Sequence, residues 1–328
     1  MEVLSHPFWI ANQEAYITSS IGISFFPEDG TTIESLLRNA DKAMYVAKKQ
    51  GRNRFAVYHD DLRGPSAELL TIETQLRKAI EREELYLAYQ PQISLDTNEI
   101  EGIEALIRWN NEILGHIPPG DFIPLAEETG LIIPIGEWVV KQACNDLKKL
   151  HLLGFEQLRC AINISPLQFM QEQFVENLVQ IAENENIPAR MIELELTEST
   201  IMPNANHSIQ RLVALKKHGF KLSVDDFGTG YSSLSYLSRF PLDYLKIDRS
   251  FIKSIDAFDE DSSIVEAILT MAHRLNLRVI AEGVENVKQL RFLRKENCDI
   301  VQGFYFSKPK SIDELIDFLY MWDTNWAN

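Results

Sequence analysis

Seven polar residues stand at or near the ends of successive apolar runs. Glu104 falls in Ile103-Glu104-Ala105-Leu106, and Glu195 in Ile192-Glu193-Leu194-Glu195-Leu196. Asp225 and Asp226 end Leu222-Ser223-Val224-Asp225-Asp226, and Glu282 follows Val279-Ile280-Ala281. Asn163 in Cys160-Ala161-Ile162-Asn163 and Lys246 in Tyr244-Leu245-Lys246-Ile247 occupy similar places. Carboxylates are rarely buried without a partner. A set of them at strand ends implies that something positive gathers them, and a metal site is the simplest answer.

The elements that would position these residues follow from the pattern of the chain. Beyond about residue 68 strands and helices alternate. An amphipathic helix is expected over 69–83 and strands over 85–95 and 100–109, joined by the turn Asp96-Thr97-Asn98. Further strands are expected near 159–165, 190–197, 220–226, 243–248, 277–282 and 299–306, with helices between them such as 136–150 and 263–275. Such alternation implies a mainly parallel sheet, and eight strands in this length imply a closed barrel. A short turn joins the first two strands, so they run antiparallel. The fold class expected is α/β: a modified TIM-like (β/α)8 barrel with one antiparallel strand, plus a small α+β N-terminal fragment. The domain reading is 1–60 for the fragment, 61–68 for a linker and 69–328 for the barrel.

Barrel active sites lie at the C-terminal ends of the strands, where most of the seven residues fall. Glu193 and Glu195 are two apart and share a face. Asp225 and Asp226 are adjacent and can face one site only if the chain is already leaving the strand, which Phe227-Gly228-Thr229-Gly230 suggests.

The chain has 328 residues, of which 45% are hydrophobic and 24% charged, as in an ordinary globular protein. A net charge of -16 argues against coating a nucleic-acid polymer, which wants a basic face. It leaves room for a small phosphorylated substrate if cations supply the positive charge. Cys144, Cys160 and Cys298 are scattered and odd in number, which points to buried thiols and a reducing cytoplasm. Neither a signal peptide nor a membrane-length apolar run is visible.

Ordered motifs carry a family resemblance. Tyr89-Gln90-Pro91, Glu104-Ala105-Leu106-Ile107-Arg108-Trp109, Asn163-Ile164-Ser165, Glu195-Leu196-Thr197-Glu198-Ser199, Asp225-Asp226-Phe227-Gly228-Thr229-Gly230-Tyr231-Ser232-Ser233, Lys246-Ile247-Asp248, Ala281-Glu282-Gly283-Val284-Glu285 and Gln302-Gly303 follow one another along the chain. Together they make residues 66–328 resemble an EAL domain, the family of cyclic-di-GMP phosphodiesterases. The first 60 residues resemble the tail of a GGDEF domain, through Ile21-Gly22-Ile23-Ser24, Ala40-Asp41-Lys42-Ala43-Met44-Tyr45 and Gly51-Arg52-Asn53-Arg54-Phe55. The signature loop of that fold is missing, so Lys48 and Arg52 read as a remnant without cyclase activity.

The resemblance implies hydrolysis of cyclic-di-GMP to linear pGpG with two divalent cations, Mg2+ or Mn2+. Oxygen-only donors suit those ions better than zinc. It implies that Glu104, Asn163, Glu195 and Asp225 hold the first ion. Asp225 would bridge to the second, beside Asp226 and Glu282. Lys246 would hold the attacking water and offset phosphate charge, and Glu282 is either a ligand or the general base. Glu285 and Gln302 would back the ligands, with Glu198 anchoring the loop from 225 to 237. Gln302 and Leu106 are also assigned to the substrate. Glu104, Leu106 and Arg108 share one strand face. Arg108 would pair with a substrate phosphate, or else with an internal acid. Gln90 would touch a guanine edge, or else make a barrel-floor hydrogen bond. A homodimer is implied as well. Two other readings stand: a catalytically silent cyclic-di-GMP receptor, and a scaffold acting through its helices.

Overall fold

The computed structural model describes residues 8–10, 13–15, 19–49, 53–59, 66–228, 234–255 and 259–325. It divides into two compact units, Met1–Lys78 and Ala79–Asn328.

In the first unit, β1 (Phe8–Ile10) and β2 (Gln13–Ala15) form an antiparallel pair. β3 (Ile21–Ile23), α1 (Ile33–Lys49) and β4 (Phe55–Val57) form a small βαβ unit whose two strands run parallel. Ala43 and Ala47 of α1 are fully buried. α2 spans Ser66–Leu76, so it begins within the expected linker and ends before Glu83. Past Leu76 the chain continues as turns, and Glu83 closes them with a left-handed backbone at φ 55°. Most of the expected linker, the Arg52 position and the side chain of Lys48 lie outside the described residues.

The second unit is the expected barrel. β5 (Leu85–Ser94), β6 (Ile100–Asn111), β8 (Arg159–Ile164), β9 (Ile192–Thr197), β10 (Lys221–Phe227), β11 (Tyr244–Ile247), β12 (Arg278–Ala281) and β13 (Ile300–Val301) close into one ring, because β5 pairs with both β13 and β6. β5 is antiparallel to both neighbours and the other barrel pairings are parallel. A short strand absent from the sequence reading, β7 (Gly115–Ile117), folds back on β6 as a hairpin outside the ring. The last strand is shorter than expected. At Gly303 the chain runs so close to the Val284 backbone that a Cβ would lie 2.1 Å from its carbonyl oxygen, and Tyr305 donates to that same carbonyl.

Helices connect the strands: α3 (Pro119–Thr129), α4 (Ile132–Leu152), α5 (Pro166–Phe169), α6 (Phe174–Glu185), α7 (Glu198–Ile201), α8 (Ala205–Lys217), α9 (Leu234–Leu237), α10 (Arg249–Ser254), α11 (Asp259–Arg274) and α12 (Val287–Lys295), with α13 (Ile312–Asn325) last. The returns to the strands reuse one device. Asn186, Asn276 and Asn297 take left-handed φ near 60°, and the next residue's N–H reaches back five residues: Ile187 to Ala182, Leu277 to Ala272, Cys298 to Leu293. This satisfies a terminal helix carbonyl and drops a buried apolar side chain onto the helix it leaves. Among the described residues no helix is long and apolar enough to cross a membrane.

Candidate active site

The barrel mouth gathers charge around one cation. Lys246, on β11, is fully buried. Its Nζ lies 2.6 Å from Glu282, 2.8 Å from Glu195, 3.6 Å from Glu104 and 3.8 Å from Asp225. Strand order explains the convergence. Asn163, Glu195 and Ser223 are level on β8, β9 and β10. Glu104 faces Gln90 across the β5–β6 pair, and Glu282 leaves the end of β12, where its N–H donates to the Ile247 carbonyl. Asn163 donates its amide to Glu104 Oε1 at 2.8 Å.

The adjacent acids are placed by a bulge. The β10–β11 register shifts between Val224 and Phe227, and Asp226 takes φ 55°. One extra residue turns Asp225 toward Lys246 and leaves Asp226 exposed at the rim. Phe227 then returns to the core. Residues 229–233 lie outside the described residues, so the expected loop is seen only at its ends. Glu198 is buried at the start of α7, which packs against β10.

The site acids do not share one proton affinity. Burial opposes ionisation of Glu104, but Lys246 and the amides of Gln302 and Asn163 outweigh it and hold the carboxyl below its ordinary range. Burial pushes Glu195 well above that range despite Lys246, with the negative charges of Glu104, Asp225 and Glu193 adding to the rise. Burial likewise pushes Glu282 to about 8. Partial burial, Asp225 and Asp248 raise Asp226. Burial disfavours the Lys246 ammonium, yet its four acids raise it well above the usual lysine value, so it is charged.

The structure brings Glu104, Asn163, Glu195, Asp225, Lys246 and Glu282 together, with Gln302 bonded to Glu104. Gln90 is buried with its amide engaged on both sides, accepting from Gln302 at 3.0 Å and donating to the Ser307 carbonyl at 2.9 Å. Glu285 stands apart at the approach to α12, 3.9 Å from Lys253. Arg108 donates to the Ile107 carbonyl and forms no ion pair among the described residues. With Leu106, Asn163 and Thr197 it lines a groove of about 270 Å³ beside the acid cluster. A larger depression along α11 is lined by one helix face and gathers none of these residues.

The motif-bearing segment matches a family model. Residues 73–309 fit the EAL domain model, which is more than half of the chain. The chain belongs to the EAL domain family. Residues 1–54 match the diguanylate cyclase GGDEF domain model. Among curated EAL relatives, it is 41% identical over 319 residues to the cyclic di-GMP phosphodiesterase NbdA of Pseudomonas aeruginosa, covering 97% of this chain and 41% of the relative. It is also 41% identical over 303 residues to the cyclic di-GMP phosphodiesterase PdeR of Escherichia coli, covering 92% of this chain and 46% of the relative. The chain thus spans less than half the length of these relatives. A solved EAL structure, the PaMucR phosphodiesterase in complex with c-di-GMP, superposes with a TM-score of 0.73 at 41% identity, over 75% of this chain and 99% of that one.

The sequence reading missed two residues of the barrel interior. Gln92 and Arg159 are buried below the mouth and hydrogen-bond to each other at 2.9 Å. Strand parity held the signal: Gln92 is two residues from Gln90, and Arg159 four from Asn163.

Proposed function

We propose that the chain is a metal-dependent phosphodiesterase that hydrolyses cyclic-di-GMP to linear pGpG. The observation that carries this reading is Lys246, buried among four carboxylates at the mouth of an EAL barrel. The site suits hard divalent cations. Its donors are all oxygens, and the buried Glu195 Oε1 has no hydrogen-bond partner among the described residues. Among the described residues no three acidic, thiol or imidazole groups already stand at the spacing of an ion's ligands; the Lys246 ammonium holds the centre. Glu104, Asn163, Glu195 and Asp225 would hold one cation, with Asp225, Asp226 and Glu282 beside a second. Two such ions supply charge to a scissile phosphate and a hydroxide at neutral pH.

The chain's own residues do the rest. Arg108, with no acidic partner among the described residues, offers its guanidinium fork to a phosphate beside Leu106. Lys246 would orient the attacking water and offset negative charge developing on the phosphate oxygens. Glu282 would stand beside the second ion either as a ligand or as the base that takes the water's proton. The water oxygen bonds to phosphorus as the bond to the 3′ oxygen breaks, and the proton taken from the water passes to that oxygen, leaving a 3′ hydroxyl and a 5′ phosphate. Gln302 holds Glu104 from behind and is itself held by Gln90. Glu198 and Glu285 are assigned to support the loops after β10 and β12.

Turnover of cyclic-di-GMP in Mg2+ or Mn2+, abolished by chelator, is the test. Absence of cleavage with either metal refutes the reading, and tight binding without turnover would favour the receptor instead. Glu104→Ala should lose more than ~100-fold in rate, beyond the range for residues behind a ligand. Full activity in that variant would remove Glu104 from the metal site. A homodimer is proposed as the assembly, and a monomer mass by sedimentation at micromolar concentration would reject it.

A further inference from the structure

A hydrogen-bonded line runs from the barrel floor to the mouth. At the floor, Arg159 is clamped by Glu193 at 2.7 Å and Glu101 at 2.7 Å, with its guanidinium 4.6 Å over the Tyr244 ring. Arg159 Nη2 donates to Gln92 Oε1 at 2.9 Å, and Gln92 Nε2 donates to Gln302 Oε1 at 3.1 Å. Gln302 Nε2 donates to Gln90 Oε1 at 3.0 Å and to Glu104 Oε2. Gln92, Gln90, Gln302, Glu104 and Arg159 are all buried.

The direction of this line is forced by chemistry at its two ends. A guanidinium can only donate, and an ionised carboxylate can only accept. Between them each amide has one orientation that satisfies both neighbours. A flip of Gln302 would aim its carbonyl oxygen at Glu104 and leave two buried acceptors face to face, a costly arrangement away from water. The backbone makes room for the line at Gly102, where a Cβ would fall 2.8 Å from Gln92 Oε1 and 3.0 Å from the Arg159 guanidinium carbon.

We infer that Arg159 and Gln92 are positioning residues: through Gln302 they fix the orientation of the Glu104 carboxylate, and so the geometry with which the site takes a divalent cation. The inference rests on the proposed metal role of Glu104. Neither residue reaches the mouth itself. Their effect is carried by amide polarity, as in metal sites where partners behind a ligand aim it.

The test is Mn2+ affinity of the full chain by calorimetry, with cyclic-di-GMP turnover measured beside it. Gln92→Met fills the space and cuts the line. Gln92→Glu still accepts from Arg159 but turns an acceptor toward Gln302. Each should weaken Mn2+ binding about tenfold or more, the range seen when a partner behind a metal ligand is removed. Gln302→Met should do the same, and adding Gln92→Met to it should change affinity no further, since the line is already cut. A packing role would instead give additive losses. Mn2+ affinity of Gln92→Met and Gln92→Glu within about twofold of the parent overturns the inference, since it falls well short of the expected loss of about tenfold or more. Additive losses in the double variant overturn it too. If Gln92→Met does not fold, Gln92→Glu, which keeps a partner for Arg159, decides alone. Failure of the underlying site reading looks different: the parent binds no Mn2+, or Glu104→Gln binds it as tightly as the parent.

Discussion

Replacing Lys246 with methionine is the most direct perturbation of the mouth. Met keeps most of the side-chain volume and removes the charge. Four carboxylates within 3.8 Å then lose their shared cation, and two of them, Glu104 and Glu195, are almost fully buried. Removing one partner of a buried ion pair costs about 3–5 kcal/mol, because the remaining charge stays buried without compensation. Several acids share this lysine, so the upper half of that range is expected. For a unit of this size each kcal/mol moves the melting temperature by roughly 2–4 °C, so a fall of roughly 8–20 °C is expected in chelator. Divalent cations should reverse part of the loss, since they restore positive charge among the same oxygens. Mn2+ should therefore raise the melting temperature of Lys246→Met by more than it raises that of the parent. The assay is thermal unfolding of both proteins with EDTA and with Mn2+. Equal melting temperatures in EDTA would show that Lys246 does not compensate the acids, and an equal Mn2+ shift would show that cation and lysine do not share one set of ligands.

Two other expectations follow from single contacts. Arg108→Ala should raise KM for cyclic-di-GMP about tenfold or more, the equivalent of one hydrogen bond to a charged group; an unchanged KM in steady-state kinetics would leave the guanidinium without a phosphate. Asp243 is opposed by burial, but Lys216, Lys221 and the Leu222 N–H hold its carboxyl below the usual range. A depressed folded value means stability that is present above the unfolded value near ~3.9 and is lost as pH falls through the folded one. Asp243→Asn should therefore be less stable than the parent at pH 7, by about 1 kcal/mol given the partly exposed lysines, and the two should converge in acid, below the folded value. Urea unfolding at pH 7 and in acid checks this, and a constant difference would refute it.

The barrel and its mouth were legible for a shared reason. A polar residue facing into a barrel interrupts an apolar run, and at the C-terminal end of a strand it does so next to a turn. Glu104, Glu195, Asp225, Lys246 and Glu282 all carry that signature. The helix returns carried a signal that went unread: Asn186-Ile187, Asn276-Leu277 and Asn297-Cys298 each place a left-handed-tolerant residue before a buried apolar one. The hairpin at β7 was not legible. It is three residues long, and its turn is held by Asn111 Oδ1 accepting from the Ile113 and Leu114 N–H groups, a tie that composition does not announce. Glu84 was missed for the same reason: it accepts from Trp109 Nε1 and Asn111 Nδ2 across the β5–β6 edge, and nothing near it in the chain marks that role. The bulge at Asp225-Asp226 was half legible. Two adjacent acids posed the parity problem, but residue types did not say that one left-handed residue would solve it.

The two buried cations of the barrel show why the interior is divided as it is. At the floor the cation is Arg159, a rigid fork that is always charged and whose three nitrogens each already donate to Glu193, Glu101 or Gln92. That arrangement is closed; it anchors. At the mouth the cation is Lys246, a compact charge on a flexible stem that touches four acids at unequal distances. It saturates none of them, and among the described residues Glu195 keeps one buried oxygen unpaired. A lysine can yield an oxygen to an incoming ion by moving its head group, whereas an arginine in the same place would hold its acids in a fixed bidentate geometry. Lys246→Arg should therefore keep the charge yet weaken Mn2+ binding, and an arginine variant that binds Mn2+ as well as the parent would show that the mouth needs only charge, not a cation that can give way.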